Sequence, residues 1–466
     1  MSNLKFNPQQ YEVRTMTAED RMITFRAFEK IVYVANPVDA DHQCMNIYVP
    51  EVYYQGETIN GYGLNTAPIL LANNIGGYMP SQPKKPEQEM FGHTSTFFYA
   101  LEHGYVVATP GARGRINRSP DGTFYGKAPA CIVDLKAAVR YLKANEEVIP
   151  GDVNKMISNG TSAGGALSAL LGASGNHPDF EPYLMALGAE DADDHIFAAS
   201  CYCPVTDLEH ADSAYEWEFK GINEFHRMHM RMSEGGRPQF TPVDGVMPPK
   251  KIELSYELAA QFPAYLNGLN LKDGSGTALT LDADGNGTFK AYILSKLTES
   301  AQAELNAGKS VDQPGVVVEN GQIVEIDFDT YMKGITRMKE APAFDDVSMK
   351  NFENSLFGNE TEDFAHFTPF SYQRSEQAEP KMAAESAIHM MNPLHYLKQP
   401  SCNVAQHWRI RHGAKDRDIG FATPAIVGLT LQMMQIPVDY RIPWGIPHSG
   451  DYDLKDLFQW IDNICK

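Results

Sequence analysis

The ten residues NGTSAGGALS, at positions 159–168, constrain the fold of this chain more than any other stretch. The run KMIS before them is β-prone, and ALSALLGASG, which overlaps their end, has the small and apolar side chains of a buried helix. In a tight strand-to-helix turn of the pattern G-x-S-x-G, side chains at the glycine positions would collide with neighbouring strands. We therefore predict that Ser162 is held in such a turn at the carboxyl edge of a sheet. A glycine-rich turn with a capping serine is the plainer alternative.

Strand-like and helix-like segments alternate around this turn. The apolar runs APILLAN (67–73) and GYVVATP (104–110) are typical of strands buried on both faces, with a helix predicted between them over 90–102. Apolar residues at spacings of three and four from Ile132 to Leu142 predict an amphipathic helix that ends near 150–151. Further strands are predicted over 155–158, 196–203, 406–413 and 437–444, and further helices over 423–435 and 453–464. This alternation predicts an α/β fold with a mostly parallel sheet and helices on both faces.

The alternation is interrupted once. From about 205 to 395 the chain is rich in Glu, Met, His and aromatic residues, with helix-like stretches and no βαβ rhythm. We predict the first part of an α/β core over 1–204, an inserted domain over 205–395 and the second part of the core over 396–466. The total of 466 residues agrees, because it exceeds what one hydrophobic core usually supports.

Composition excludes several classes of partner. The net charge of −20 argues against binding to nucleic acid or to anionic membrane surfaces, which both need clustered Lys and Arg. The N-terminal residues lack the pattern of a secretion signal, and no apolar run reaches about 18 residues, so we expect a cytoplasmic protein without a spanning helix.

The cysteines and one histidine pair are candidate metal ligands. The six cysteines are expected to be reduced and mostly buried, and a metal site at Cys201 and Cys203 is the alternative, without a second cysteine pair to support it. His226 and His229 of HRMH have the i, i+3 spacing of zinc ligands but no third ligand nearby, so we predict an exposed helix face there.

Ser162 becomes a nucleophile only if a base and an acid reach it, and in this architecture they follow it in the order acid, then histidine. Of fourteen histidines, His448 lies in the loop GIPHSG after the last predicted strand. The loop RHGAKDRD follows the preceding strand and selects Asp416, with Asp418 as the alternative. The interval to His448 holds one helix and one strand, the connection that parallel strands require. Taken singly, each is also an ordinary loop or turn residue.

An oxyanion formed at Ser162 would need backbone donors. The amide of Ala163 begins the predicted helix after the serine and therefore faces that position. A second donor is expected in NIGGYMP, the loop after the strand over 67–73, where two glycines let the backbone turn inward. We select Gly77 over Gly76 by a small margin, and a plain turn is the alternative.

Several stretches together resemble one family, the bacterial tannases, which are the tannin acylhydrolases of lactobacilli and related bacteria. The stretches are NGTSAGGALSALLGASGN, DLEHADSAYEWEFKGIN, TRMKEAPAFD, ENSLFG, HWRIRHGAKDRD and PHSGDYDLKDLFQWID. The resemblance covers nearly the whole chain and includes the inserted region. It implies an α/β-hydrolase with a large lid domain and a triad of Ser162, Asp416 and His448. No metal or organic cofactor is implied, and a small phenolic ester is the expected partner.

The resemblance also implies that Lys339, Glu353 and Asp418 hold the galloyl ring. Without it, Lys339 and Glu353 would be interpreted as a solvated surface pair. Phe352 departs from the family pattern, where a smaller or proline-like residue is expected before the glutamate. The fungal enzymes of the same name carry a disulfide beside the triad, and no cysteine adjoins these triad positions in sequence.

The combined hypothesis is a serine ester hydrolase that releases gallic acid from hydrolysable tannins and simple gallates through a galloyl-enzyme. A feruloyl esterase or general carboxylesterase on the same fold is the nearest alternative. A hydrolase-like binding protein without catalysis is the alternative from another class.

Overall fold

The computed structural model describes residues 4–18, 20–86, 96–232 and 238–466. Within these ranges the strands are, in chain order, β1 (Glu12–Ala18), β2 (Arg21–Val32), β3 (Cys44–Pro50), β4 (Pro68–Asn73), β5 (Val106–Pro110), β6 (Asp152–Thr161), β7 (Ala198–Tyr202), β8 (Glu224–Met232), β9 (Pro238–Val246), β10 (Val316–Glu319), β11 (Gln322–Ile326), β12 (His407–Arg411) and β13 (Val438–Arg441).

The α-helices of the same ranges are α1 (Thr96–His103), α2 (Ala130–Ala144), α3 (Ala163–Ala173), α4 (Glu181–Leu187), α5 (Leu208–Phe219), α6 (Pro249–Gly268), α7 (Thr288–Asn306), α8 (Phe328–Ile335), α9 (Phe352–Leu356), α10 (Pro369–Gln373), α11 (Glu385–His389), α12 (Pro393–Leu397), α13 (Ala422–Met433) and α14 (Leu454–Cys465).

Nine strands form one sheet in the order β1-β2-β3-β5-β4-β6-β7-β12-β13. The six strands from β5 to β13 run parallel to one another, and β1, β2 and β3 extend the sheet in antiparallel fashion. Every residue of β4, β5 and β7 is buried, because helices cover both faces. The predicted α/β fold with a mostly parallel sheet is therefore confirmed.

Helix α2 was expected to be amphipathic and to end near 150–151, and both expectations were wrong. It ends at Ala144, and 13 of its 15 residues are buried. Its polar side chains are covered because they have buried partners: the Lys136 ammonium lies 2.8 Å from the Asp194 carboxylate, which Arg140 also contacts at 3.0 Å. A paired charge can be buried where an isolated one cannot.

The helix predicted over 90–102 is only partly within the described residues. Helix α1 begins at Thr96 and ends at His103, and positions 90–95 lie outside the described ranges. The exposed helix face predicted for HRMH was wrong, because His226 lies in β8, which pairs along its length with β9. The Nδ1 atom of His226 lies 2.8 Å from an Asp244 oxygen on that partner strand.

Between β7 and β12 the chain forms helices and two separate two-stranded sheets, β8–β9 and β10–β11. A continuous cluster of buried apolar side chains extends from the main sheet into this region. In that cluster the Trp217 ring packs on Phe262, Phe289 and Phe328, with centroids 5.2–5.7 Å apart. The division of the chain at 204 and 395 stays a prediction.

Among the helices of the described ranges, none combines the length and the apolar composition that crossing a bilayer requires.

Candidate active site

The turn that carries Ser162 joins β6 to α3. Ser162 has φ +60° and ψ −123°, a strained conformation for a residue with a side chain. A Cβ on Gly160 would lie 2.4 Å from the carbonyl oxygen of Gly164, so glycine is required there. The Ser162 amide donates to the carbonyl of Tyr202, the last residue of β7, at 3.0 Å. The predicted turn is thus present, at the carboxyl edge of the sheet.

An aspartate–histidine pair lies at the same edge, in the loops after β12 and β13. The Nδ1 atom of His448 lies 2.8 Å from Oδ2 of Asp416, which is 1% exposed. The other oxygen, Oδ1, accepts from the amides of Asp418 and Ile419 at 2.9 and 3.2 Å. These bonds fix the carboxylate, so Asp416 is the aspartate that orients the imidazole at Nδ1.

The edge of the His448 ring opposite Asp416, at Nε2, lies near Cys203. Cys203 immediately follows Tyr202, whose carbonyl holds the serine amide, and its Sγ lies 4.0 Å from Nε2 of His448. The Ser162 turn and the His448–Asp416 pair therefore lie at the same edge of the sheet, although the three residues are spread over almost three hundred positions.

Asp418 also contacts His448, from the opposite side to Asp416. Its Oδ2 lies 3.3 Å from Nε2, and its Oδ1 lies 2.9 Å from Nζ of Lys339. Burial lowers the pKa of His448, but Asp416 and Asp418 outweigh it and the pKa lies well above its ordinary value. Burial opposes ionisation of Asp418, yet Lys339 and His448 hold its pKa below the ordinary value.

Residues 412–421, between β12 and α13, form the loop that carries Asp416 and Asp418, which we call the acid loop. Lys339 is anchored to this loop through its backbone. The Tyr215 hydroxyl accepts from the amides of Met338 and Lys339 at 3.2 and 3.3 Å and donates to the carbonyl of Arg417 at 2.8 Å. The Lys339 ammonium also lies 4.0 Å from the centroid of the Phe344 ring. With a side chain 22% exposed, Lys339 is not the solvated surface residue of the plainer interpretation.

Glu353 lies in the short helix α9 and is 8% exposed. Burial raises the pKa of this carboxyl, and the nearby Lys339 ammonium opposes the rise. Phe352 beside it is 60% exposed, with the Arg115 guanidinium 4.6 Å from its ring centroid. Lys339, Glu353 and Asp418 therefore form one group of interacting charges next to His448.

The loop after β4 packs against the start of α3. The Asn73 side chain donates to the carbonyl of Gly164 at 2.9 Å. Gly77 has φ +54°, and the carbonyl of Gly76 accepts from Met79 at 3.0 Å. Because the N–H and C=O of a trans peptide point in opposite directions, the Gly77 N–H faces away from Met79. The Ala163 amide is one of the helix-start amides without an intrahelical partner.

Three further residues support the site and were not predicted. Cys203 follows a strand end, which is the only sequence signal for its position. His412 of the HG-x-x-D stretch is fully buried, and burial lowers its pKa to about 4. Glu218 accepts from the amides of Phe421 and Ala422, each at 2.9 Å, and so holds the end of the acid loop.

All six cysteines are free, and all but the partly buried Cys402 are buried, as predicted. Within the described ranges, Cys203, Asp416 and His448 place possible metal-ligand atoms within 4.8 Å of one another. Both oxygens of Asp416 already accept hydrogen bonds, so we assign no metal to this group.

Comparison with known proteins gives consistent results. The BD-FAE family model matches residues 66–233. Among curated proteins, esterase LipQ of Mycobacterium tuberculosis is 34% identical over 106 residues, which are 22% of this chain and 24% of that protein. The chain thus spans about a quarter of the length of that relative.

Solved structures match over the whole chain. The tannase of Lactobacillus plantarum is 45% identical with a TM-score of 0.96, over 99% of this chain and 100% of the other. The tannase of Fusobacterium nucleatum is 46% identical with a TM-score of 0.95, over 99% of each chain. A tannin acyl hydrolase in complex with ethyl gallate is 44% identical with a TM-score of 0.94, again over 99% of each chain. The protein therefore belongs to the family of bacterial tannases, carboxylic ester hydrolases built on the α/β-hydrolase fold.

Proposed function

We propose that the protein is a serine ester hydrolase that cleaves the galloyl ester bonds of hydrolysable tannins and simple gallates. The observation that carries this proposal is the His448–Asp416 pair, 2.8 Å apart, at the strained turn of Ser162. Ser162 attacks the ester carbonyl while His448 takes the hydroxyl proton and returns it to the leaving alcohol. Water then attacks the galloyl-enzyme while His448 takes its proton, and gallic acid leaves as that proton returns to the Ser162 oxygen.

The developing oxyanion is stabilised by the amides of Ala163 and Gly77. The two loops that carry them are held together by the Asn73–Gly164 hydrogen bond, so the donors are fixed before the reaction begins. Donors that need no reorganisation are effective, and one of them is worth about 10²–10³ in rate.

The galloyl ring binds among Lys339, Glu353 and Asp418. Gallate has three adjacent phenol hydroxyls, to which carboxylates offer acceptors and an ammonium offers donors. The similarity to a tannin acyl hydrolase solved with ethyl gallate supports this assignment. The small exposure of Glu353 supports it further, because burial makes a carboxylate without a partner costly.

Residues 205–395 act as a lid domain on a core formed by 1–204 and 396–466. Lys339 and Glu353 come from the inserted region, whereas Ser162, Asp416 and His448 follow strands of the main sheet. This distribution supports a division in which the core performs the reaction and the lid supplies most contacts to the acyl group.

Ser162→Ala tests the mechanism. We expect kcat on methyl gallate to fall by about 10⁴- to 10⁶-fold, because the acyl acceptor is lost. Covalent labelling by a fluorophosphonate should disappear as well. Ser310→Ala, which changes an exposed serine, is the matched control and should behave as the unmodified protein. Turnover retained in Ser162→Ala would refute the assignment, and an unmodified protein that does not label would be a binding protein.

Substrate comparison tests the galloyl pocket. We expect kcat/KM for methyl gallate to exceed that for methyl benzoate by on the order of 10⁴, since buried polar groups left unpaired reject an analogue without hydroxyls. Methyl ferulate should also be poor. Lys339→Met should reduce the preference by lowering kcat/KM for methyl gallate. A preference for benzoate or ferulate would remove the galloyl pocket and leave a general or feruloyl esterase.

A further inference from the structure

We propose that Asp418 is a positioning residue that holds His448 in an inactive state, protonated on both nitrogens, until a ring hydroxyl of the substrate engages Asp418. This inference rests on the proposed function, in which His448 is the base and Asp418 lies in the galloyl pocket. The new point is that a phenolic hydroxyl of the substrate shifts His448 to its neutral, active form. The hydroxyl therefore affects catalysis as well as binding.

The two nitrogens of His448 face two different carboxylates. Nδ1 lies 2.8 Å from Oδ2 of Asp416, and Nε2 lies 3.3 Å from Oδ2 of Asp418. The Asp416 carboxylate only accepts hydrogen bonds, so Nδ1 carries a proton, and the negative charge of Asp418 beside Nε2 favours a second proton there. An imidazole protonated on both nitrogens is a cation and has no lone pair left for the Ser162 hydroxyl. The resting arrangement is therefore the wrong one for a general base.

The other groups around the ring do not compensate these two anions. Burial raises the pKa of the Cys203 thiol, which stays neutral 4.0 Å from Nε2. Burial also keeps His412 neutral, with its pKa lowered to about 4. The nearest cation, Lys339, contacts the other oxygen of Asp418 and keeps that carboxylate ionised. The imidazolium is thus the favoured form of free His448.

A phenolic substrate changes this balance. When a ring hydroxyl donates its hydrogen bond to Oδ2 of Asp418 and separates that oxygen from Nε2, the carboxylate stabilises the proton on Nε2 less strongly. The proton then leaves to water, and the neutral imidazole accepts a hydrogen bond from the Ser162 hydroxyl. An ester without a hydroxyl at that ring position leaves the Asp418–His448 contact intact. Such a substrate reacts slowly even when it is bound.

The pH dependence of turnover by the unmodified protein tests this directly. The acid limb of kcat/KM reports the base in the free enzyme, and that of kcat reports it in the substrate complex. For methyl gallate we expect the kcat limb to lie at least about one pH unit below the kcat/KM limb, because an opposite charge beside a titrating group shifts its pKa by 1–3 units. For methyl benzoate the two limbs should coincide. Coinciding limbs for methyl gallate would overturn the proposal.

Asp418→Asn provides the second measurement, with fluorophosphonate labelling as a readout that needs no phenol. Removal of the anion at Nε2 should move the acid limb of the labelling rate to lower pH by about one unit or more. Asp284→Asn, which removes an exposed carboxylate outside the site, is the control, and its labelling limb should stay in place. An unmoved limb in Asp418→Asn, in a protein with native circular dichroism, contradicts the proposal. Failure of the proposed function would differ, because Ser162 would then not label at all.

Discussion

At the scale of single residues, the Ser162 turn depends on glycines that leave room for backbone. A Cβ at Gly160 would also lie 3.0 Å from the Ser168 hydroxyl, which shares a 2.8 Å hydrogen bond with Ser158. A Cβ at Gly165 would lie 2.4 Å from the carbonyl of Tyr202. The backbones of β6, β7 and α3 therefore lie too close together for any side chain at these two positions. This close packing fixes the position of Ser162 relative to the sheet.

Gly160→Ala should destabilise the fold by about 1–3 kcal/mol, because the clash is with backbone that cannot move aside. Ser162 should shift with it, so kcat on methyl gallate should fall. Urea unfolding and turnover measure the two effects. Gly268→Ala is the control: a Cβ there meets nothing within 4 Å. That change should raise stability by about 0.4–1 kcal/mol. Equal effects of the two substitutions would contradict the steric explanation.

At the scale of elements, helix α5 connects the acid loop to the stretch of chain that carries Lys339. The Tyr215 hydroxyl forms hydrogen bonds with the backbone of both stretches, and the Glu218 carboxylate accepts a hydrogen bond from the amide of Ala422, just after the acid loop. Between them, Glu216 forms a bidentate ion pair with Arg337 at 2.6 and 3.1 Å, and both side chains are fully buried. Arg337 in turn donates to the Lys339 carbonyl at 2.6 Å. One helix therefore positions Lys339.

Arg337→Met should cost about 3–5 kcal/mol, because it leaves the Glu216 carboxylate buried without its cation. The KM for methyl gallate should rise, since Lys339 loses a backbone anchor. Denaturant unfolding and steady-state kinetics check both. Arg374→Met, which breaks the exposed Arg374–Glu257 pair, should cost less than about 1 kcal/mol. A double variant that also carries Glu216→Leu should recover stability, and failure to do so would contradict the unpaired-charge explanation.

The same scale shows how far the sequence could predict the fold. The strands of the parallel sheet were predicted because their apolar runs are local signals. The burial of α2 was missed because Lys136 and Asp194 are 58 positions apart and only tertiary structure pairs them. The strand at His226 was missed because a hairpin strand is stabilised by its partner, and the pattern of HRMH alone does not specify that partner.

The candidate site divides in the same way. Ser162, Asp416 and His448 could be selected from the sequence, because each follows a strand whose carboxyl end lies at one edge of the sheet. Lys339 and Glu353 carry no such signal, and only the family resemblance pointed to them. The contact of Asp418 with Nε2 of His448 was not predicted, because it depends on side-chain geometry inside the loop.

At the scale of the whole molecule, loops of the main sheet and the chain between β7 and β12 meet where Lys339 contacts Asp418. The main sheet is completed by β12 and β13, which follow the helices and small sheets between β7 and β12. One hydrophobic cluster of buried residues includes side chains from the main sheet and from those elements. Packing between stretches that are distant in sequence holds charged side chains in fixed positions, which an exposed loop would not do.

The hydrogen bonds of the Tyr215 hydroxyl limit which segments of the chain can be exchanged when the substrate range of this enzyme is engineered. This hydroxyl binds the backbone of two stretches that are far apart in sequence, at Lys339 and at Arg417. A segment from a relative that replaced residues 205–395 would keep the acid loop in place only if it also supplied a hydrogen-bond donor for the Arg417 carbonyl. Grafts that lack such a donor would leave that carbonyl unsatisfied and loosen the loop that presents Asp416 and Asp418.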